Sequence, residues 1–146
     1  MSNPNPDSAL ALPVVDADLA ERLRVRMREV EEALHGHVQS EAPFVTAAAQ
    51  HLMRAGGKRI RPLLVLLAAE TGRGMGSGDD DVLTSACVVE LTHLASLYHD
   101  DVMDEAALRR GAESANARWD NHVAILTGDF LFSKSSELTA ELGADA

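Results

Sequence analysis

The chain has 146 residues, 46% of them apolar and 25% charged, a size and balance that fit one domain with a real core and exclude wholesale disorder. Aromatics are only 3%, with Ala and Leu carrying the apolar content, so the β-branched and aromatic richness of an all-β fold is missing. The net charge is −10 and is uneven: residues 1–75 hold nine Lys/Arg and nine Asp/Glu, residues 76–146 four and fourteen, which leaves no basic stripe for a nucleic acid.

Cys87 is the single cysteine, which excludes an internal disulfide and a Cys-based zinc site; in its apolar run it reads as a small buried residue. Residues 1–18 carry acids and prolines without a basic segment ahead of an apolar one, so no signal peptide is expected. The longest apolar run, 63–69, is too short to span a bilayer. A cytoplasmic protein without a membrane span is expected.

Residues 1–15, with three prolines and no apolar period, read as a flexible tail. A domain follows over 16–146. Leu19, Leu23, Met27, Val30 and Leu34 recur at three- and four-residue spacing and predict a first helix, capped by Asp16 or Asp18 and frayed or ended at Gly36. Arg22, Arg24, Arg26 and Arg28 alternate by two, so they wrap around that helix as solvated charge. A second helix is predicted over 43–55, stopped by Gly56-Gly57. A third covers 59–71, with Pro62 tolerated in its first turn. Gly72, Gly74, Gly76 and Gly78 form a loop without the Gly-Lys-Ser/Thr that would cradle a phosphate. Asp79-Asp80-Asp81 suit the start of a fourth helix reaching Asp104, and a fifth runs over 122–142, ended by Gly143. No strand pattern is visible. The fold class is all-α, with about five helices.

The chemistry concentrates in the fourth helix. At about 100° per residue, His93, Leu97, Asp100 and Asp104 share an arc of about 60°, with Asp101 beside them. Like charges one turn apart destabilise a helix unless a cation meets them. Carboxylates without a thiol favour a hard ion, Mg²⁺ first, completed by water and substrate phosphates. Asp79-Asp80-Asp81 lie about 30 Å up the same helix and cannot share that ion. Lys58 and Arg61 stand three apart at a helix start after a diglycine, a plausible diphosphate site; Arg109-Arg110 follow the acidic end and point in different directions, toward two anions.

Gly56-Gly57-Lys58-Arg59-Ile60-Arg61-Pro62, then His93, then His99-Asp100-Asp101-Val102-Met103-Asp104, then Arg109-Arg110-Gly111, closely resemble the all-trans polyprenyl diphosphate synthases, and Gly128-Asp129-Phe130-Leu131 resembles that family's next helix. The resemblance covers residues 18 to the end. It implies the N-terminal half of the isoprenoid synthase helical bundle. It implies that Asp100, Asp101 and Asp104 hold Mg²⁺ against an allylic prenyl diphosphate, that Arg109 contacts the same diphosphate, and that Lys58, Arg61, His93 and Arg110 grip isopentenyl diphosphate. In the implied reaction the allylic diphosphate departs, the isopentenyl double bond attacks the allylic cation, and loss of a proton completes one five-carbon extension.

Members of that family are about twice this length and carry a second aspartate-rich motif, which no segment after Asp104 provides. The chain therefore reads as half of a synthase, acting as a homodimer or with a partner synthase chain; the alternative is a non-catalytic helical subunit that pairs with a complete enzyme. A metal phosphohydrolase built on His99-Asp100 would need further histidines, and the segments of His35, His37, His51 and His122 show no such pattern. Ser96 and Ala95 are small where, in that family, bulky aromatics floor the product tunnel, so the resemblance implies products beyond the farnesyl and geranylgeranyl length.

Overall fold

A computed structural model describes residues 16–72 and 80–143. The proposed tail over 1–15, all but the first residue of the glycine loop, and Asp79 lie outside them. Six helices and one small hairpin make up the described chain, in the order α1 Ala17–His37, α2 Pro43–Arg54, α3 Ile60–Thr71, α4 Asp80–Met103, β1 Leu108–Arg109, β2 Ala112–Glu113, α5 Ala115–Arg118 and α6 Asn121–Glu141.

The predicted stripe of α1 is the buried one. Leu23, Met27, Val30 and Leu34 are wholly buried, each adding about 2 kcal/mol of burial, and the Asp16 carboxylate caps the start by accepting from Leu19 N at 3.0 Å. The arginine series is less uniform than its spacing implies. Arg22 meets Glu70 at 3.2 Å and Arg24 meets Glu21 at 3.4 Å. Arg26, expected in solvent, is buried beside its partner Glu29, because 26 falls next to Met27 on the packed side.

Pro43 opens α2 and Pro62 sits in the first turn of α3, as expected. The core lies where α4 crosses the others. Cys87, Leu91, Leu94 and Tyr98 form its buried stripe. The Tyr98 hydroxyl donates to Ala48 O at 2.5 Å and accepts from Leu52 N at 3.2 Å, pinning α4 to α2; burial raises the phenol's pKa above its ordinary value. Cys87 is buried, its thiol pushed up to about 12, so it is a packing residue and not a nucleophile.

The longest shared face is that between α4 and α6. Gly128 allows it: a Cβ there would lie 2.3 Å from His99 Nε2 and 3.2 Å from the Ala95 carbonyl oxygen. Thr92 and Ser135 close the same face with a hydroxyl pair at 2.7 Å. Asp120 caps α6 through Val123 N at 2.9 Å, and Gly143 ends it at φ 81°.

Between α4 and α6 the expected plain loop is a hairpin followed by α5. Leu108 pairs with Glu113 and Arg109 with Ala112, leaving Arg110 and Gly111 as a two-residue turn with φ of 55° and 79°. Both values are left-handed, as a tight hairpin whose twist matches its strands requires. His51 on α2 holds the hairpin, its Nε2 lying 2.7 Å from Glu113 O. Strands of two residues carry no period, which is why the sequence did not announce them.

Candidate functional site

The site begins at the link between α2 and α3. Gly56, Gly57 and Arg59 have φ of 91°, 152° and 48°. Glycine takes such angles freely; for Arg59 the left-handed geometry costs about 1–2 kcal/mol. The turn throws Lys58 and Arg61 outward, where both are exposed. No side chain caps α3, so the N–H groups of its first turn remain open, Pro62 excepted.

Arg61 and His93 face each other across a cleft of about 590 Å³ between α3 and α4, lined also by Leu64, Val65, Val88, Val89, Thr92 and Ser96. Burial lowers the His93 pKa below the ordinary imidazole value, and the positive charges of Arg61, Arg110, Arg109 and Arg59 lower it further. The imidazole is thus kept neutral beside cations, a state that an arriving anion relieves.

At the far end of α4, Asp100 is half-buried and Asp104 is exposed one turn on, the Asp104 N–H donating to Asp100 O at 2.8 Å. Asp101 does not join them. It is 0% exposed, and its Oδ1 accepts from Arg109 Nε at 2.7 Å and Nη2 at 2.6 Å. Among the described residues no three acidic, histidine or cysteine side chains converge as a ready metal cage. Of the three aspartates expected at a metal, two are thus open here and the third pairs with an arginine. The reason is helical phase: Asp101 continues the buried stripe of Leu91, Leu94 and Tyr98, while Asp100 and Asp104 stand off it.

Two cations are likewise committed. Arg109, expected at a diphosphate, holds Asp101. Arg110, expected at isopentenyl diphosphate, donates from Nη1 to the carbonyls of Gly56 and of Leu52, the latter at 3.3 Å. It therefore braces the glycine turn, and burial first, Arg59 second, pull its pKa down. Sequence reasoning also left Arg59 without a role, yet it is 5% exposed and paired with Glu31 and Glu90. The signal was Glu90, a lone charge within the apolar stripe of α4. His99, whose Nε2 lies 3.1 Å from Ile125 O and 3.2 Å from Asp129, faces α6 and belongs to packing.

Against these committed groups, Lys58, Arg61, Asp100 and Asp104 make no side-chain hydrogen bond or ion pair among the described residues. Two open cations thus stand at the start of α3 and two open carboxylates at the end of α4. The sequence profile of the polyprenyl synthetase family matches residues 42–146. The chain belongs to the polyprenyl synthetase family. It is 44% identical over 131 residues to a nonaprenyl diphosphate synthase of Mycobacterium tuberculosis, covering 90% of this chain and 38% of that protein. It is 51% identical over 114 residues to the heptaprenyl diphosphate synthase component 2 of Geobacillus stearothermophilus, covering 78% and 35%. Its fold superposes with a TM-score of 0.76 on the crystal structure of a geranylgeranyl pyrophosphate synthase from Corynebacterium glutamicum complexed with calcium and isoprenyl diphosphate, at 49% identity, covering 92% of this chain and 40% of that one. The chain thus spans well under half the length of these family relatives.

Two carboxylates one turn apart, free of partners, fit a hard divalent cation, which typically takes one or two protein carboxylates and fills its shell with water and phosphate oxygen. Asp101 Oδ2 is buried without a hydrogen-bond partner.

Proposed function

We propose that the chain supplies the substrate-binding wall of a Mg²⁺-dependent chain-elongating prenyltransferase, which condenses isopentenyl diphosphate with an allylic prenyl diphosphate. The observation that carries this reading is the division of charge: unpaired Lys58 and Arg61 at the start of α3, unpaired Asp100 and Asp104 at the end of α4. The relatives' names, and a neighbour solved with calcium and isoprenyl diphosphate, support it.

Lys58 and Arg61 hold isopentenyl diphosphate directly, with neutral His93 in reach as a further hydrogen-bond donor. Asp100 and Asp104 would hold Mg²⁺, which when bound neutralises the charge of the allylic diphosphate as it leaves. Arg109, its direction fixed by Asp101, keeps a 29% exposed side chain at that same end. The apolar walls of the cleft exclude water from the allylic cation. The π electrons of isopentenyl diphosphate form the new carbon–carbon bond as the allylic carbon–oxygen bond breaks, and a proton passes to the released diphosphate.

Small Ser96 in the cleft favours a product beyond farnesyl and geranylgeranyl diphosphate. The enzyme works as a dimer or with a second synthase chain, a reading that the two-component naming of the Geobacillus relative supports. Soluble diphosphate substrates, and the lack of any described helix able to cross a membrane, support a cytoplasmic site of action. The test is a transferase assay with labelled isopentenyl diphosphate and farnesyl diphosphate, on the chain co-expressed with the C-terminal half of a heptaprenyl synthase. Extended products that vanish with Lys58→Gln or Asp100→Asn are expected. Formation of product undiminished by both substitutions overturns the assignment, and its absence from the complemented chain favours a non-catalytic subunit.

A further inference from the structure

We propose that Arg59 is a positioning residue: clasped by Glu31 and Glu90, it sets the 56–61 turn so that Lys58 and Arg61 present their charges to one diphosphate. The inference rests on reading Lys58 and Arg61 as the isopentenyl diphosphate contacts.

Lys58-Arg59-Ile60-Arg61 holds three cations in four residues, and only the middle one turns inward. Its guanidinium is spread over three helices. Nε donates to Glu31 Oε1 on α1 at 2.5 Å, Nη1 to Glu90 Oε1 on α4 at 3.2 Å, and Nη2 to Met53 O near the end of α2 at 3.4 Å. One side chain thus ties three elements to the turn that carries the open cations. A planar fork can do this; the single ammonium of lysine cannot satisfy the three directions at once.

Gly57 shows how tightly the cluster is built. A Cβ there would lie 2.7 Å from Nη1 of both Arg59 and Arg110. Two like charges therefore flank one glycine, and Glu90, 2% exposed, is the anion that permits it. Burial raises the Glu90 pKa above the ordinary carboxylate value, and Arg59 and Arg110 pull against that rise. Without Glu90 the two guanidiniums repel more strongly, Arg59 keeps only Glu31 and the Met53 carbonyl, and the Lys58–Arg61 spacing loosens.

The test compares the wild-type chain with Arg59→Gln and Glu90→Gln by calorimetric titration with isopentenyl diphosphate and, with Mg²⁺, farnesyl diphosphate, together with amide hydrogen exchange. Isopentenyl diphosphate affinity is expected to fall about tenfold or more, the usual loss when the partner orienting a binding residue is removed. Exchange at amides 57–61 should quicken, while α6 amides and farnesyl diphosphate affinity stay within about twofold of wild type, as for a distant site. Should Arg59→Gln fail to fold, Arg59→Lys is judged by the same criteria. Unchanged exchange at the turn, an unchanged isopentenyl diphosphate affinity, or an equal loss of both ligands overturns the inference. If the wild-type chain binds no isopentenyl diphosphate, the functional reading fails, and exchange alone decides whether Arg59 holds the turn.

Discussion

Asp100 and Asp101 are identical side chains on neighbouring positions, and about 100° of helix separates their roles. Asp100 stands half-buried without a side-chain partner; Asp101 extends the core stripe and pairs with Arg109. Substitutions should separate them. Asp100→Asn is expected to weaken Mg²⁺-dependent binding of farnesyl diphosphate at least about tenfold with little change in thermal stability, whereas Glu141→Gln should change neither. Asp101→Ala removes the partner of Arg109 and is expected to lower stability by about 2–3 kcal/mol, read by urea unfolding. Equal stability losses from the two aspartates would contradict the division. His93 adds a pH signature. Its folded pKa lies below the ordinary 6.5. An unfolded chain therefore takes up a proton near that pH that the folded chain refuses until lower pH. Stability from this group is present above pH 6.5 and is lost as pH falls through the folded value. His93→Asn should flatten that part of the stability profile, and an unchanged slope would show that His93 is not the group responsible.

At the scale of elements, long helices were legible because their apolar residues repeat at the helical period. The cap Asp16 and the breakers Gly56, Gly57 and Gly143 mark ends where the structure has them, whereas Asp120, the cap of α6, was not read from the sequence. Legibility failed where a few residues decide. The 108–113 hairpin has two-residue strands, and its left-handed turn opens on Arg110, a residue type that gives no turn signal; only Gly111 marked it. The open partners of the site were readable as motif spacing, but which charges are consumed inside was not, since Arg59, Arg109 and Arg110 differ from Arg61 only by tertiary contacts. Two glycines give contrasting predictions. No atom lies within 4 Å of a Cβ on Gly111, whose φ is 79°, so Gly111→Ala should cost only the backbone term, about 1 kcal/mol. Gly128→Ala must displace His99 and press on the Ala95 carbonyl, and is expected to cost about 2–3 kcal/mol. The reverse order in a thermal or urea series would mean that α4 and α6 are not packed as described. Ala95 itself is wholly buried, whereas Ser96 lines the cleft. Ser96→Phe is thus the substitution expected to shorten products of the complemented enzyme without loss of stability, and product lengths unmoved by it would remove Ser96 from the tunnel.

For the whole molecule, the proposed function divides one anion-binding task between two kinds of charge. On the proposed reading, the start of α3 offers cations that meet a diphosphate directly. The end of α4 offers carboxylates that repel one unless a divalent cation stands between. The two ends are held in register by the Tyr98 link of α4 to α2, by the Arg110 brace on the glycine turn and by the α4–α6 face. The most direct measurement of this division is calorimetric titration of the chain with isopentenyl diphosphate and with farnesyl diphosphate, each with Mg²⁺ and with a chelator. The account predicts that isopentenyl diphosphate binds in both conditions and that farnesyl diphosphate binds only with Mg²⁺. Loss of isopentenyl diphosphate binding on chelation, or farnesyl diphosphate binding indifferent to Mg²⁺, would contradict it.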